Sequence, residues 1–275
     1  MKKIIALAVA AVVAAPAMAD LTIGASARYQ MDNGSSDMTG GTTNRVQVSF
    51  AGSSTAESGM FVSTAATLQL DNSAGVARDG DNAVTIGNSA ANVVLGAFEP
   101  AGAFSSGADQ FQVGGLAGFE GALRAREADN VGLNVTAVEG LTLQISTNVS
   151  SQDDIRTVIG YDFGAFAASA GFTSADAAAD EGYSVTASTT VGGVAVAASY
   201  GENDANDSSM NINASYMGFG LAFQNDETAG VEQDEVYGSY AVANAAGLEG
   251  LTVTVGAGSA DGADDKYGVR LDYAF

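Results

Sequence analysis

The sequence predicts an all-β chain folded as a transmembrane antiparallel β-barrel of about sixteen strands. Three observations predict it. Apolar and polar residues alternate over long stretches, with no helical stripe of comparable length. Short, nearly uncharged turns take turns with long acidic links. The closing run Lys266-Tyr-Gly-Val-Arg-Leu-Asp-Tyr-Ala-Phe275 puts Tyr267, Val269, Leu271, Tyr273 and Phe275 on one side of a strand. Gly268, Arg270 and Asp272 fall on the other side, because strand side chains alternate. An apolar strand ending on an aromatic suits a wall with lipid on one face and water on the other.

Residues 1–19 carry the marks of a cleaved secretory signal. Lys2 and Lys3 precede an apolar run over 4–15, and Ala17-Met18-Ala19 is a small-x-small cleavage site before Asp20. The run is too short for the roughly 20 residues of a spanning anchor. The barrel then occupies 20–275. In the first strand Leu21, Ile23, Ala25, Ala27, Tyr29 and Met31 alternate with Thr22, Gly24, Ser26, Arg28 and Gln30. Val46, Val48 and Phe50 do the same in the second, and Leu68 and Leu70 in the third. The pattern returns at 141–149, 183–191 and 251–258. Predicted spans are 21–31, 44–53, 60–70, 83–88, 92–98, 130–137, 141–149, 155–163, 165–173, 183–191, 194–200, 209–217, 219–224, 235–243, 251–258 and 266–275. A count of fourteen stays open beside sixteen. An even count puts both chain ends on the periplasmic side.

The long links run over 32–43, 71–82, 99–129, 150–154, 174–182, 201–208, 225–235 and 259–265. They hold 26 of the 32 Asp and Glu residues. One end of the barrel is therefore short turns and the other exposed acidic loops, the polarity of outer-membrane barrels. A soluble β-sandwich also alternates, but it does not predict this two-sided rhythm. The aromatics, among them Tyr29, Phe50, Tyr161, Phe163, Phe166, Tyr183, Tyr200, Phe219 and Tyr240, fall on the outward parity near strand ends, as interfacial girdles do.

Composition excludes several functions. Without Lys2 and Lys3 the ten basic residues fall to eight, and the net charge of −22 becomes −24. Such a surface repels nucleic acid. The chain has no Cys, so no disulfide framework, and no His, the commonest general base and metal ligand. The expectation is that it is not an enzyme. Acidic loop runs at Asp79-Gly-Asp81, 203–207 and 261–265 suit loosely bound Ca²⁺, yet none completes a calcium loop. No cofactor is expected, and no residue is assigned to a metal.

These features together resemble the general, non-specific porins of Gram-negative outer membranes, most nearly the sixteen-stranded trimeric type of α-proteobacteria. The resemblance rests on three elements: the strand-turn-strand Val84-Thr-Ile-Gly-Asn-Ser-Ala-Ala-Asn-Val-Val-Leu-Gly96, the long third link after it, and the closing Tyr-Gly-Val-Arg-Leu-Asp-Tyr-Ala-Phe. It differs in its short length and in lacking a clear Pro-Glu-Phe-Gly-Gly-type motif in the third loop. The resemblance implies that this loop folds into the lumen. It also implies that Leu271, Tyr273 and Phe275 serve as a signal for insertion by the outer-membrane assembly machinery. It further implies a homotrimer in the outer membrane, among lipid and lipopolysaccharide.

By parity Arg28, Arg45 and Arg270 point inward on strands that neighbour one another in a closed barrel, and Arg156 is a fourth inward candidate. The expected narrowing sets Arg28, Arg45 and Arg270 against Asp109 and Glu120 of the third loop. Opposed charges there hold ordered water, which an apolar solute must displace without replacing its hydrogen bonds. Ions and small hydrophilic solutes pass, with a weak cation preference from the acidic mouth. Pairing of the arginines with Asp272 for stability is the alternative. A structural or adhesive surface barrel and a substrate-specific channel are the rival functions; the mostly small inward residues and outward aromatics argue for general diffusion.

Overall fold

The computed structural model describes residues 20–33, 42–71, 75–77, 82–104, 129–150, 155–175, 181–262 and 264–275. The proposed signal at 1–19 lies outside them. Among the described residues are seventeen strand segments. They are β1 (Asp20–Asp32), β2 (Thr42–Thr55), β3 (Phe61–Asp71), β4 (Gly75–Ala77), β5 (Asn82–Gly87), β6 (Ala91–Ala97), β7 (Asn130–Val135), β8 (Leu141–Asn148) and β9 (Ile155–Asp162). Then come β10 (Phe166–Ser174), β11 (Gly182–Val191), β12 (Val194–Asn203), β13 (Ser208–Tyr216), β14 (Phe219–Thr228), β15 (Val231–Ala243), β16 (Leu251–Ala260) and β17 (Lys266–Ala274).

Neighbours in the chain are neighbours in the sheet, and every pair is antiparallel except that β4 does not pair with β5. β4 pairs with the end of β3 (Asp71↔Gly75) and β5 with its start (Phe61↔Gly87). The two therefore fill one wall position, and the wall has sixteen. The ring closes because β1 pairs with β17 as well as with β2, in register from Ser26↔Ala274 to Asp32↔Gly268. Closure removes both sheet edges, leaving no unpaired rim to attract another strand.

Burial runs inside out along the wall. In β9 Ile155 and Ile159 are 50% and 47% exposed, whereas Arg156 between them is 5% exposed. In β13 Ile212 is 47% exposed and Asn211 is 0%. A soluble sandwich would hide the isoleucines and wet the polar row. Leaving the exposed half of each such side chain in water would forgo about 1 kcal/mol. The outward row therefore needs an apolar surround. No helix among the described residues is long and apolar enough to cross a membrane, which says nothing against strands doing so.

Short turns at one end are locally encoded. Met217 and Gly218 join β13 to β14 with φ of 47° and 86°. Gly192 and Gly193 join β11 to β12 with 60° and 85°. Two successive positive φ values match the twist of antiparallel strands in a two-residue hairpin.

At the other end three expectations need correction. The links 201–208, 225–235 and 259–265 are shorter than the acidic runs suggest. β12 continues to Asn203 and β16 to Ala260, and β14 and β15 leave only Ala229 and Gly230 between them. The acids do not end the strands because donors across the ladder satisfy them. Asn225 Nδ2 donates to Asp234 Oδ1 at 2.8 Å, and Ser209 Oγ donates to Asp226 Oδ1. The short β4 lies inside the expected link 71–82, paired with the end of β3.

Candidate pore lining and its narrowing

Three neighbouring strands bring three arginines to one inward patch. Arg28 on β1 stands opposite Arg45 on β2 and Asp272 on β17. Gln30, one inward position along, stands opposite Arg270. Arg28 Nε donates to Asp272 Oδ1 at 2.6 Å and Arg270 Nε donates to Oδ2 at 2.7 Å. The shared carboxylate is thus bonded at both oxygens, with all three side chains partly covered. The inward arginine patch and the pairing of Arg28 and Arg270 with Asp272 occur together. Such charge-assisted bonds are short and directional, so they fix the guanidiniums against the wall.

On the far side of the barrel the chain after β6 leaves the wall. Residues 98–104 form a strap over the inner face of β7 to β11. Asn130 Nδ2 on β7 donates to the Phe98 carbonyl at 3.0 Å. The Ala101 N–H donates to Gln144 Oε1 on β8, and Arg156 Nε on β9 donates to the Ala101 carbonyl at 2.7 Å. Ser169 Oγ on β10 and Thr186 Oγ1 on β11 both donate to the Ala103 carbonyl. Two glycines make room. A Cβ at Gly132 would lie 2.9 Å from the Phe98 ring, and one at Gly171 would lie 3.0 Å from Ala103 Cβ. Glycine inside a strand often marks such close approach, so Gly132 and Gly171 are the sequence signal for the strap. Residues 105–128 of the link, with Asp109 and Glu120, lie outside the described residues.

The inward face carries more than the small residues expected from parity. Amides bond one another across strands. Gln47 Nε2 donates to Gln69 Oε1 at 2.8 Å, Asn134 Nδ2 to Asn92 Oδ1 at 2.9 Å, and Gln144 Nε2 to Asn134 Oδ1 at 2.7 Å. Farther round, Asn211 Nδ2 donates to Gln224 Oε1 and Gln224 Nε2 to Asp226 Oδ2. An amide is both donor and acceptor, so a row of them stays satisfied whether water or a polar solute lies beside it. Beside the strap a cavity of about 450 Å³ opens between Phe98, Glu99 and the hydroxyls of Thr22, Ser53, Ser63 and Thr85.

Outside, aromatic rings gather near strand ends. Tyr161, Phe163 and Phe166 pack at 4.6 and 4.5 Å between centroids around one short turn, and Phe219 and Tyr240 at 4.3 Å around another. Tyr273 and Phe275 pack edge to face at 4.6 Å, with Leu271 on the same outward row. At the acidic end the hydroxyls of Tyr183 and Tyr200 both donate to Glu202 Oε2, at 3.0 and 2.8 Å. Among the described residues no group of three or more potential metal ligands forms.

The model of the family described as Gram-negative porin matches residues 6–275. Among curated proteins none matches the chain in sequence. Two mutants of the Rhodopseudomonas blastica porin superpose with TM-scores of 0.68 and 0.67 at 14% and 13% identity, covering 94% of this chain and 100% of theirs. A structure titled for the asymmetric conductivity of engineered proteins superposes at 0.67 with 15% identity, over 93% of this chain and 100% of that one. At such identities the superpositions speak for the fold: a closed wall of sixteen strands. With the family match running over nearly the whole length, the chain belongs to the Gram-negative porin family.

Proposed function

We propose that this protein is an outer-membrane porin, a water-filled channel through which ions and small hydrophilic solutes diffuse. One observation carries the reading: a closed wall whose outward row is apolar and exposed and whose inward row is polar. A barrel of sixteen strands is wide enough to leave an aqueous passage. Arg28, Arg45 and Arg270 form the cationic side of its narrowest part, and Asp109 and Glu120 of the third link form the anionic side. The net charge of −24 after loss of the leader 1–19 concentrates cations at the mouth and gives a weak cation preference. The acidic loops hold Ca²⁺ only loosely. Leu271, Tyr273 and Phe275 present the outward apolar row that the assembly machinery reads, and three copies associate.

Planar-bilayer recording tests this. Purified protein should open stable conductances that step in threes. In the R28Q/R45Q double variant the reversal potential under a salt gradient should move toward stronger cation selectivity, because two luminal cations are lost. Silence would favour a filled surface barrel, and an unmoved reversal potential would remove the arginines from the narrowing.

A further inference from the structure

We propose that Arg156 is the positioning residue that sets how far the strap 98–104 stands from the wall, and so how wide the channel is there. The inference rests on the channel reading above. Its warrant is the unequal length of the strap's tethers. Ala103 is held by short side chains, Ser169 Oγ and Thr186 Oγ1, and lies against Gly171 with no room for a Cβ between. Ala101, two residues earlier, is held only by long ones in the hydrogen bonds seen, Gln144 from β8 and Arg156 from β9. The strap therefore touches the wall at Ala103 and stands a side-chain length away at Ala101.

Arg156 spans that gap as a strut. Its Nε donates to the Ala101 carbonyl at 2.7 Å while its Nη1 donates to Thr173 Oγ1 on the next strand at 2.8 Å. The guanidinium is planar and its donors are fixed in a fork, so two bonds in different directions define its place. The side chain is 5% exposed, enclosed between strap and wall. A lysine there offers a point charge on a flexible stem, which holds one acceptor and lets the other go. An uncharged side chain releases the Ala101 carbonyl, and the strap settles back toward the wall as it already does at Ala103.

Two sets of variants test this, with opposite expected signs. Arg156→Met should raise single-channel conductance by about twofold and admit larger neutral sugars, as a widened narrowing does. Arg156→Lys should fall between it and the wild type. Gly171→Val puts a side chain under Ala103 and beside Arg156 Nη2 and Ser184 Oγ, pushes strap and guanidinium together toward the axis and should lower conductance. If the Met variant fails to insert, the Lys and Val variants must still move in opposite directions. Wild-type conductance in the folded variants, with only a lower thermal midpoint, would mean that Arg156 merely ties β9 to β10, and would overturn the inference alone. A shift of both in one direction would overturn it too. A silent wild-type protein would instead overturn the channel reading, and this inference with it.

Discussion

Asp272 accepts from two guanidiniums at once, and that makes it the residue on which the arginine patch turns. Replacing it with Asn keeps the shape but removes the charge between Arg28 and Arg270. The cations then repel each other across neighbouring strands. D272N should lower stability by about 1–2 kcal/mol, the range for a charged hydrogen-bonding group losing its partner in a partly wetted site. Urea unfolding in detergent measures it. The same variant should move the reversal potential toward anions, opposite in sign to R28Q/R45Q, because the lumen gains net positive charge. Parity alone put Arg28, Arg45, Arg156 and Arg270 inward, and all four are found there. Their bonding partners were less legible. Which carboxylate an arginine meets depends on strand stagger, and alternation within one strand carries no information on stagger.

Individual strands were the most readable level, because each has to present lipid and water to opposite faces and can do so only by strict alternation. The elements that escaped notice are those where side chains across the ladder override local composition. The β14–β15 hairpin keeps pairing through Asp226, Glu227, Glu232 and Asp234, a run that reads as loop when taken alone. The strap escaped for a similar reason: Pro100 and the alanines after it have no period, and their path is set by five wall strands. Turns offer the sharper test. A Cβ at Gly218 would sit 2.4 Å from the Ala241 carbonyl oxygen, at a φ of 86°. Gly218→Ala should therefore destabilise by at least about 1–2 kcal/mol, the left-handed penalty before any clash. Gly24, on the inward row of β1, has nothing within 4 Å of such an atom. Gly24→Ala should leave the unfolding midpoint within about 0.5 kcal/mol of wild type. Equal effects at the two positions would contradict the hairpin assignment.

Over the whole molecule, charge and apolarity are sorted by place. The wall's outer surface is built of Ile, Leu, Val and aromatic side chains, and the acids crowd toward the loop end. A preference set by that acidic mouth acts at a distance through water, so salt should erase it. The cation-to-anion permeability ratio should decline toward one as salt rises from 0.1 M to 1 M, where the screening length falls from about 10 Å to about 3 Å. A ratio that held constant would place selectivity in close contacts at the narrowing instead. The ring also closes in a particular way. β17 is hydrogen-bonded to β16 on one side and to β1 on the other, with the Phe275 N–H donating to the Ala25 carbonyl at 2.9 Å. Until that final segment docks, β1 and β16 are both raw borders, each able to recruit a stranger's backbone. β17 is therefore the keystone. Without β17 the wall is an open sheet with two bare edges, and such a chain should aggregate where the full chain closes on itself.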